Sequence, residues 1–452
     1  MRNHNVALRF YMLAVFVWAG ALQSTTWLPI VAAPAAAKRT FPGLTDAGIL
    51  MQLNLGPIVQ AISTPPAMAL LVSARGLQHC IRGGVLFGAL SAGLRLLAVL
   101  LPLGVRSAPL GQWLLHCASM ACGVSGAFLQ GAPSRFSAVW FPLEQRARAT
   151  GCAFVGLGFG QALCYAVCPL LTHGSGGLTN LLVFQAALAV PPLLCCLAYL
   201  PDSPRSAVDL RIPPSSSLVS ERGAAPSCSC EEAFEADTNG QSLWRMALAM
   251  VRQRSVLSIV IVCSLANGPY QAWSAALPTI LGHFDFGPDE MDMLSLGSLL
   301  AYTIGCYLVG ELGDRVFRRR FKLLILLLLL AALASFAWLC LMLPTNFAPQ
   351  PPLRVGFSVV LLAVSLTGWF TGATNPICME LCAEMTYPLP EGISGNLILF
   401  VTQVCAIFFL FVVPLLSPLV ATPMTMGIVA LCVLLLIPVK AQYLRSTAEQ
   451  CC

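Results

Sequence analysis

The sequence predicts an all-α polytopic membrane protein in which twelve transmembrane helices form two pseudo-symmetric halves of six. Three observations support this fold class: an apolar composition, apolar runs of membrane-spanning length, and loop motifs that recur in both halves. Of the 452 residues, 57% are hydrophobic and 10% are charged. The mean hydropathy of +0.79 lies far outside the range of soluble proteins. A soluble fold is therefore excluded.

The apolar runs are long enough to cross a bilayer as helices, since each crossing takes about 20 residues. The first run continues through Trp27, so we interpret it as an uncleaved helix rather than a signal peptide. We expect the crossings at residues 8–31, 46–72, 83–104, 110–134, 147–171, 178–200, 256–281, 289–312, 321–343, 353–383, 392–418 and 423–441.

Basic residues orient these crossings, because Lys and Arg are retained on the cytoplasmic side of a membrane. With both termini inside, the loop cations left outside are Lys38, Arg39, Arg106 and Arg354. Those inside are Arg75, Arg82, Arg135, Arg146, Arg148, the cluster at 315–322 and the terminal basic residues. The formal charge of +6 thus indicates orientation and contact with anionic lipid, and we expect no nucleic-acid partner.

The 19 cysteines are scattered singly through apolar runs, without metal-ligand spacing. The five histidines are dispersed, and no nucleophile lies at catalytic spacing from a base. We therefore expect no metal, no cofactor and no enzymatic activity. The terminal Cys451-Cys452 pair fits plain cytosolic thiols, with lipidation as the alternative.

Residues 310–322 form a short, strongly basic loop between two apolar runs. Asp314 ends the preceding helix, where its carboxylate is placed to contact the N-terminus of a neighbouring helix, a contact worth about 0.3–2 kcal/mol. An ordinary positive-inside loop is the alternative. The candidate gate residues in this loop are Gly310, Gly313, Asp314, Arg315 and Arg318.

Two loop segments, residues 131–151 and 384–395, share a pattern about 246 residues apart. Phe141-Pro-Leu corresponds to Tyr387-Pro-Leu, which indicates a duplication of six helices. We expect an N-terminal half at 1–200, a cytoplasmic linker at 201–254, and a C-terminal half with a short cytoplasmic tail at 255–452. Further candidate gate residues in and beside these segments are Arg135, Glu144, Arg146, Glu380, Glu384 and Glu391.

Several polar residues interrupt the apolar runs. The second helix carries Gln52, Asn54 and Gln60, which suit either a cavity wall or helix packing. The buried cation Arg95 and the lone His116 favour structural roles over substrate or proton contact. In the seventh helix, Asn267-Gly-Pro predicts a broken backbone beside a binding site, with a mechanical hinge as the alternative.

The pattern Gly-x-Leu-Gly-Asp-Arg-x-x-Arg-Arg at 310–319 resembles a loop motif of the major facilitator superfamily, where it helps to close the cytoplasmic gate. The first loop departs from this motif, because Ser73 stands where an acid is expected. Residues 133–141 and 379–392 resemble solute carrier family 49, the FLVCR-type and disrupted-in-renal-carcinoma-type transporters. The resemblance implies the major facilitator fold and transport of a small solute such as choline, ethanolamine, haem or a pyridoxine-like vitamin.

Gln403 matches an eleventh-helix glutamine that contacts choline in FLVCR proteins, whereas Gln161 lies about one turn from its counterpart. We place the solute between the halves, where aromatic rings stack on it and amides orient it. The candidate lining residues are Trp27, Gln161, Tyr270, Gln271, Trp273, Trp369, Asn375 and Gln403.

By these spans no acid lies at mid-membrane, so we expect facilitated transport, with proton symport as the alternative. A transport-inactive receptor or scaffold of the same fold is a further alternative. We expect a monomer in the plasma membrane or an endolysosomal membrane, whose partners are the lipid bilayer and a small-molecule solute.

Overall fold

The computed structural model describes residues 2–73, 75–102, 104, 109–172, 177–201, 240–281, 287–346, 348, 352–353 and 355–451. Within them the chain is helical and contains no strand. Most of the predicted linker, residues 202–239, lies outside the described residues. The long helices are α1 (Arg2–Trp27), α2 (Asp46–Val72), α3 (Gly76–Leu100), α4 (Pro109–Gln130), α5 (Arg146–Thr172), α6 (Leu178–Ala198), α7 (Arg254–Leu281), α8 (Pro288–Arg315), α9 (Phe321–Met342), α10 (Phe357–Thr386), α11 (Glu391–Val412) and α12 (Pro418–Leu436).

Among the described residues, eleven of these helices are long and apolar enough to cross a membrane. The helix outside that set is α4, whose 22 residues have sufficient length but include Gln112, His116 and several small polar residues. Its Ser119 and Ser125 are buried against neighbouring helices rather than exposed to lipid. Helix α4 is therefore positioned in the bundle like the membrane-spanning helices, although its hydropathy is lower than theirs.

The helices pair in the same way in both halves. In the N-terminal half α1 packs on α5, while α4 packs on both α2 and α3. In the C-terminal half α7 packs on α11, while α10 packs on both α8 and α9. This correspondence confirms the predicted pair of six-helix halves, and it follows from a duplicated sequence burying equivalent faces.

The halves meet mainly through two helix pairs, α5 with α8 and α2 with α11. Glycine permits the closest approach in the first pair. A Cβ atom on Gly151 would lie 2.5 Å from the carbonyl oxygen of Cys306, and one on Gly310 would lie 2.7 Å from that of Ala147. These contacts are at the end of the bundle that carries Arg75, Arg148 and Arg315, which we call the basic end.

The predicted break in the seventh helix is wrong, because α7 runs without interruption from Arg254 to Leu281. Gly268 instead allows close packing on α11, since a Cβ atom there would lie 2.8 Å from the Cβ of Cys405. Pro269 removes one backbone donor, but the helix continues through it. The Asn267-Gly-Pro sequence thus serves helix packing without opening the backbone.

Shorter helices complete the basic end. Pro133–Trp140 connects α4 to α5, Gly240–Arg252 precedes α7, and Leu444–Cys451 follows α12. The C-terminal residues predicted as a tail therefore include a helix, which packs against α10. Its buried Arg445 is only 2% exposed, which a solvated tail would not explain.

Candidate functional site

A cavity of about 90 Å³ lies between the two halves. Helices α1, α2, α4 and α5 line it from one half, and α7, α8, α10 and α11 line it from the other. Its wall is rich in carboxamides. These are Gln23, Gln60, Gln130, Gln161, Asn267, Gln271, Asn375 and Gln403.

Six of the eight predicted lining residues reach this cavity. Trp27 contributes an indole whose Nε1 donates to the carbonyl oxygen of Leu53 at 3.1 Å, which fixes the ring orientation. The other five supply the remaining aromatic and amide groups that the sequence predicted, namely Gln161, Tyr270, Gln271, Asn375 and Gln403.

Trp273 and Trp369 do not line the cavity. Trp273 is fully buried in the core of the C-terminal half, where its Nε1 donates to Thr422 Oγ1 at 3.1 Å and its ring packs edge-on against Phe336. Trp369 is half-buried, and its backbone carbonyl faces Gly305 of α8. Both tryptophans stabilise contacts within the C-terminal half.

Tyr302 is a lining residue that the sequence reasoning missed. Its ring stacks on that of Tyr270, with centroids 6.0 Å apart and planes within 9°. Each hydroxyl has its own hydrogen-bond partner: Tyr270 shares a hydrogen bond of 2.8 Å with Ser298, and Asn375 Nδ2 donates to Tyr302 at 3.4 Å. A tyrosine within an otherwise apolar run was the available signal.

Three of the lining amides have a buried polar atom without a hydrogen-bond partner in the protein. They are the Nε2 donor of Gln60 and the acceptors Asn267 Oδ1 and Gln403 Oε1. Buried polar groups are nearly always satisfied, so these atoms mark positions where a bound solute would complete the network. The donor belongs to one half and both acceptors to the other.

No Asp, Glu, Lys, Arg or His lines the cavity within the described part of the chain. Arg95, a buried cation of the N-terminal half, faces the interior as expected and is 1% exposed. Its Nη2 donates to Ser119 Oγ at 3.2 Å. Ser119 in turn donates to Gln52, whose Nε2 lies 2.9 Å from His116 Nδ1. Gln52 and His116 thus belong to a packing network beside the cavity.

At the basic end, Asp314 makes the predicted contact with a helix N-terminus. Its carboxylate accepts hydrogen bonds from the backbone N–H groups of Ala147 at 3.1 Å and Arg148 at 2.7 Å, in the first turn of α5. Those groups have no intrahelical acceptor, and the helix dipole favours a negative charge there. Asp314 therefore joins α8 to α5 across the two halves.

Ion pairs surround this contact. Arg148 pairs with Glu311 at 3.2 Å, and Arg315 pairs with the same carboxylate one turn along α8. Arg318 lies 3.8 Å from Glu144, and both side chains are nearly half exposed. Exposed pairs of this kind contribute about 1 kcal/mol or less.

Other predicted gate residues lie deeper at the same end. Gly313 packs against Ile377 of α10. Arg146 is buried and donates to the carbonyl oxygens of Phe141 and Ala138, both at 3.4 Å. Arg135 is buried in the connecting helix, and the backbone carbonyl of Glu391 accepts from Ser134 at 3.4 Å.

Glu380 and Glu384 form a buried cluster with Arg445, a residue that the sequence reasoning did not single out. Arg445 Nη2 lies 2.8 Å from Glu380 and its Nε lies 3.0 Å from Glu384. Burial lowers the pKa of the Arg445 guanidinium, but the adjacent carboxylates, Glu380 foremost, outweigh it and raise the pKa. Arg445 therefore stays charged and ties the C-terminal helix to α10.

The same cluster extends to the N-terminal half. Thr150 of α5 donates to Glu380 at 2.6 Å, and Ser137 of the connecting helix donates to it at 3.3 Å. Glu384 accepts from the backbone and hydroxyl of Ser446, each at 3.0 Å. This polar cluster thus joins α10, α5 and the C-terminal helix below the cavity.

Two bundles of six helices around a shared central cavity define a carrier of the major facilitator type. A family model described as Major Facilitator Superfamily matches residues 15–389, and the chain belongs to this superfamily. The solved structure of the proton:xylose symporter XylE bound to 6-bromo-6-deoxy-D-glucose is similar in fold, with a TM-score of 0.65, 13% identity, and coverage of 97% of this chain and 98% of that chain.

The curated proteins similar to this chain include ones named solute carrier family 49 and FLVCR choline/ethanolamine transporters, as the loop motifs predicted. The solute carrier family 49 member 4 homolog of Xenopus tropicalis is 25% identical over 350 residues, 74% of this chain and 69% of that protein. Solute carrier family 49 member A3 of Danio rerio is 22% identical over 413 residues, 90% of this chain and 78% of that protein. The choline/ethanolamine transporter FLVCR1 of Felis catus is 23% identical over 336 residues, 70% of this chain but 55% of that protein.

Proposed function

We propose that this protein moves a small organic solute across a membrane by alternating access. The observation that carries this proposal is the cavity between the halves, in which Gln60, Asn267 and Gln403 each present a buried polar atom without a partner. A solute held there touches both halves. Its binding can therefore be coupled to their relative movement.

The chemistry of the wall favours a neutral solute with both donors and acceptors. Asn267 and Gln403 supply free acceptors and Gln60 a free donor, while the parallel Tyr270 and Tyr302 rings flank one side. A small hydroxylated heteroaromatic solute, such as a pyridoxine-like vitamin, matches these groups. Choline or ethanolamine, named for the FLVCR relatives, would rely on cation–π contacts without a carboxylate partner.

The absence of acids and bases from the described cavity wall favours facilitated transport over proton symport. His116 is bonded to Gln52 outside the wall, so it supports packing rather than proton transfer. The measurement is uptake of radiolabelled pyridoxine into proteoliposomes from pH 5.5 to 7.5, with and without a protonophore, for the wild type and His116→Ala. Collapse of uptake by the protonophore would establish the symporter instead.

The substrate class is tested by comparing pyridoxine, choline and ethanolamine in the same proteoliposomes. Gln403→Ala removes one acceptor, and a hydrogen bond contributes about 0.5–1.5 kcal/mol, so we expect the KM for the preferred solute to rise about 2- to 13-fold. Gln112→Ala is the matched control, because Gln112 bonds to Gly43 away from the cavity. Saturable binding without uptake of any solute would indicate a transport-inactive receptor.

A further inference from the structure

The helix Gly240–Arg252 has three chemically distinct faces. One face is buried in the core of the C-terminal half through Ala247 and Met250. A second face is apolar but exposed, with Trp244 59% and Leu248 52% exposed one helical turn apart. The third face carries Arg245 and Arg252, both exposed. Among the described residues, packing accounts for the first of these faces alone.

The exposed faces lie where a membrane surface would be. The helix contacts α7 and α11 at the basic end of the bundle, and Gln253 is the single residue between it and α7. Because α7 is a membrane-spanning helix that starts at Arg254, the preceding helix lies at the boundary between hydrocarbon and headgroups. Tryptophan is enriched at that boundary, with its ring among the acyl chains and its N–H among polar groups.

Charge complements this position. Arg245, Arg252 and Arg254 are exposed, and the described residues provide no ion-pair partner for any of them. Lys440, at the end of α12, lies in the same corner, since its backbone N–H donates to Ser255 Oγ at 3.4 Å. Four cations beside an exposed apolar strip match an anionic phospholipid, whose phosphate lies directly above its acyl chains.

We propose that the helix Gly240–Arg252 is a binding site for anionic phospholipid of the leaflet at the basic end. Trp244 and Leu248 lie against the acyl chains, while Arg245, Arg252, Arg254 and Lys440 surround the headgroup phosphate. Bound lipid thereby fixes the start of α7 to the bilayer. This site is separate from the solute cavity and does not depend on which solute is carried.

The experiment is a thermal-unfolding titration of the full-length chain in detergent with dioctanoyl phosphatidylserine, dioctanoyl phosphatidylcholine or inorganic phosphate. We expect phosphatidylserine to raise the midpoint temperature saturably, and the other two compounds to have little effect at equal concentration. Each basic residue near an anionic surface is worth about fivefold in binding, so Arg245→Gln with Arg252→Gln should raise the half-maximal lipid concentration about 10- to 30-fold.

The matched control is Lys38→Gln with Arg39→Gln, which removes two cations from the short helix Pro34–Thr40 at the opposite end. It should leave the phosphatidylserine titration unchanged. An equal response to phosphatidylcholine, or an unchanged titration in the Arg245/Arg252 double variant, overturns the proposal. A full response to phosphate alone identifies a free-phosphate site and likewise overturns it.

The apolar face has its own readout. The fluorescence of Trp244 is measured as the difference between the wild type and Trp244→Phe in vesicles that contain brominated phosphatidylcholine. We expect bromines near the headgroup to quench this fluorescence and aqueous iodide to leave it unchanged. Quenching of this fluorescence by iodide instead of bromine would place Trp244 in water and contradict lipid contact. The linker also contains an acidic run, Glu231-Glu-Ala-Phe-Glu-Ala-Asp237. Deleting residues 205–237 should preserve both results, which excludes this run as the occupant.

Discussion

At the basic end, α5 meets α8 through polar groups, whereas α11 meets α2 through apolar packing. Asp314 on α8 accepts two backbone hydrogen bonds from the first turn of α5. At the pseudo-equivalent position Ser73, which directly follows α2, donates its hydroxyl to the backbone carbonyl of Leu70 in the last turn of that helix. Across that second contact, Gly392 of α11 packs on Leu71, and a Cβ atom on Gly392 would lie 3.1 Å from the leucine side chain.

The difference indicates that duplicated halves need not close in the same way. Backbone N–H groups at a helix terminus are directional and attract a carboxylate, so the α5–α8 contact has one preferred geometry. Apolar packing against glycine has no such direction and tolerates small sliding movements. We therefore expect the α5–α8 pair to control whether the basic end is closed.

The largest loss of stability is expected from disrupting the buried cluster of Arg445, Glu380 and Glu384. Arg445→Met leaves Glu380 and Glu384 buried without their cation, and breaking a buried pair costs about 3–5 kcal/mol. Thermal unfolding in detergent measures the loss. The control Arg315→Met removes the exposed partner of Glu311 and should cost about 1 kcal/mol or less. Equal destabilisation by both variants would contradict the importance of the buried cluster.

The next largest effect is expected where the backbones of α5 and α8 approach. Gly310→Ala places a methyl group 2.7 Å from the carbonyl oxygen of Ala147, so the helices must separate, at a cost of about 1–3 kcal/mol. Mass spectrometry of alkylated peptides should show faster labelling of Cys152, a half-buried residue of α5. Gly93→Ala is the control, because its added methyl group meets no atom within 4 Å. Unchanged Cys152 labelling would show that this approach does not hold the end closed.

Asp314→Asn should have a moderate effect. The amide keeps one acceptor oxygen but loses the charge, which is worth about 0.3–2 kcal/mol at a helix N-terminus. The population open at the basic end should rise about 2- to 30-fold, again seen as faster Cys152 labelling, with expression largely retained. Asp46→Asn is the control, since Asp46 is exposed and pairs with Lys38 at the opposite end. Transport and labelling equal to the wild type would refute the gate role.

The smallest effect is expected from adding the missing acid. Ser73→Asp gives the second contact a carboxylate near the N-terminus of α11, worth about 0.3–1 kcal/mol if it finds the backbone donors. In an Asp314→Asn background it should partly restore slow Cys152 labelling. Ser73→Ala removes only an exposed hydrogen bond to the last turn of α2 and should change neither labelling nor stability. No difference between the Asp and Ala substitutions would mean that the α2–α11 contact cannot be made polar.

Side-chain environments that depend on the facing helix were the least predictable part of the site. Tyr270 and Trp273 lie within one turn of α7, yet Tyr270 lines the cavity and Trp273 packs against Phe336. A soluble helix shows its inner face by its polar pattern, but lipid and protein core are both apolar, so that signal is weak in a membrane. The amides were easier to place, because an uncharged polar group in an apolar run needs an interior partner.

The sequence by itself determined the helical bundle, the two related halves and the contact of Asp314 with a helix terminus. Those features follow from hydropathy, duplication and the unsatisfied donors of a helix end, which are properties of local segments. The tertiary structure alone decided that Arg445 meets Glu380 and Glu384, and that Gln60, Asn267 and Gln403 face one cavity. These groups are distant in the chain, and their proximity depends on how the helices pack, since no local preference encodes which faces meet.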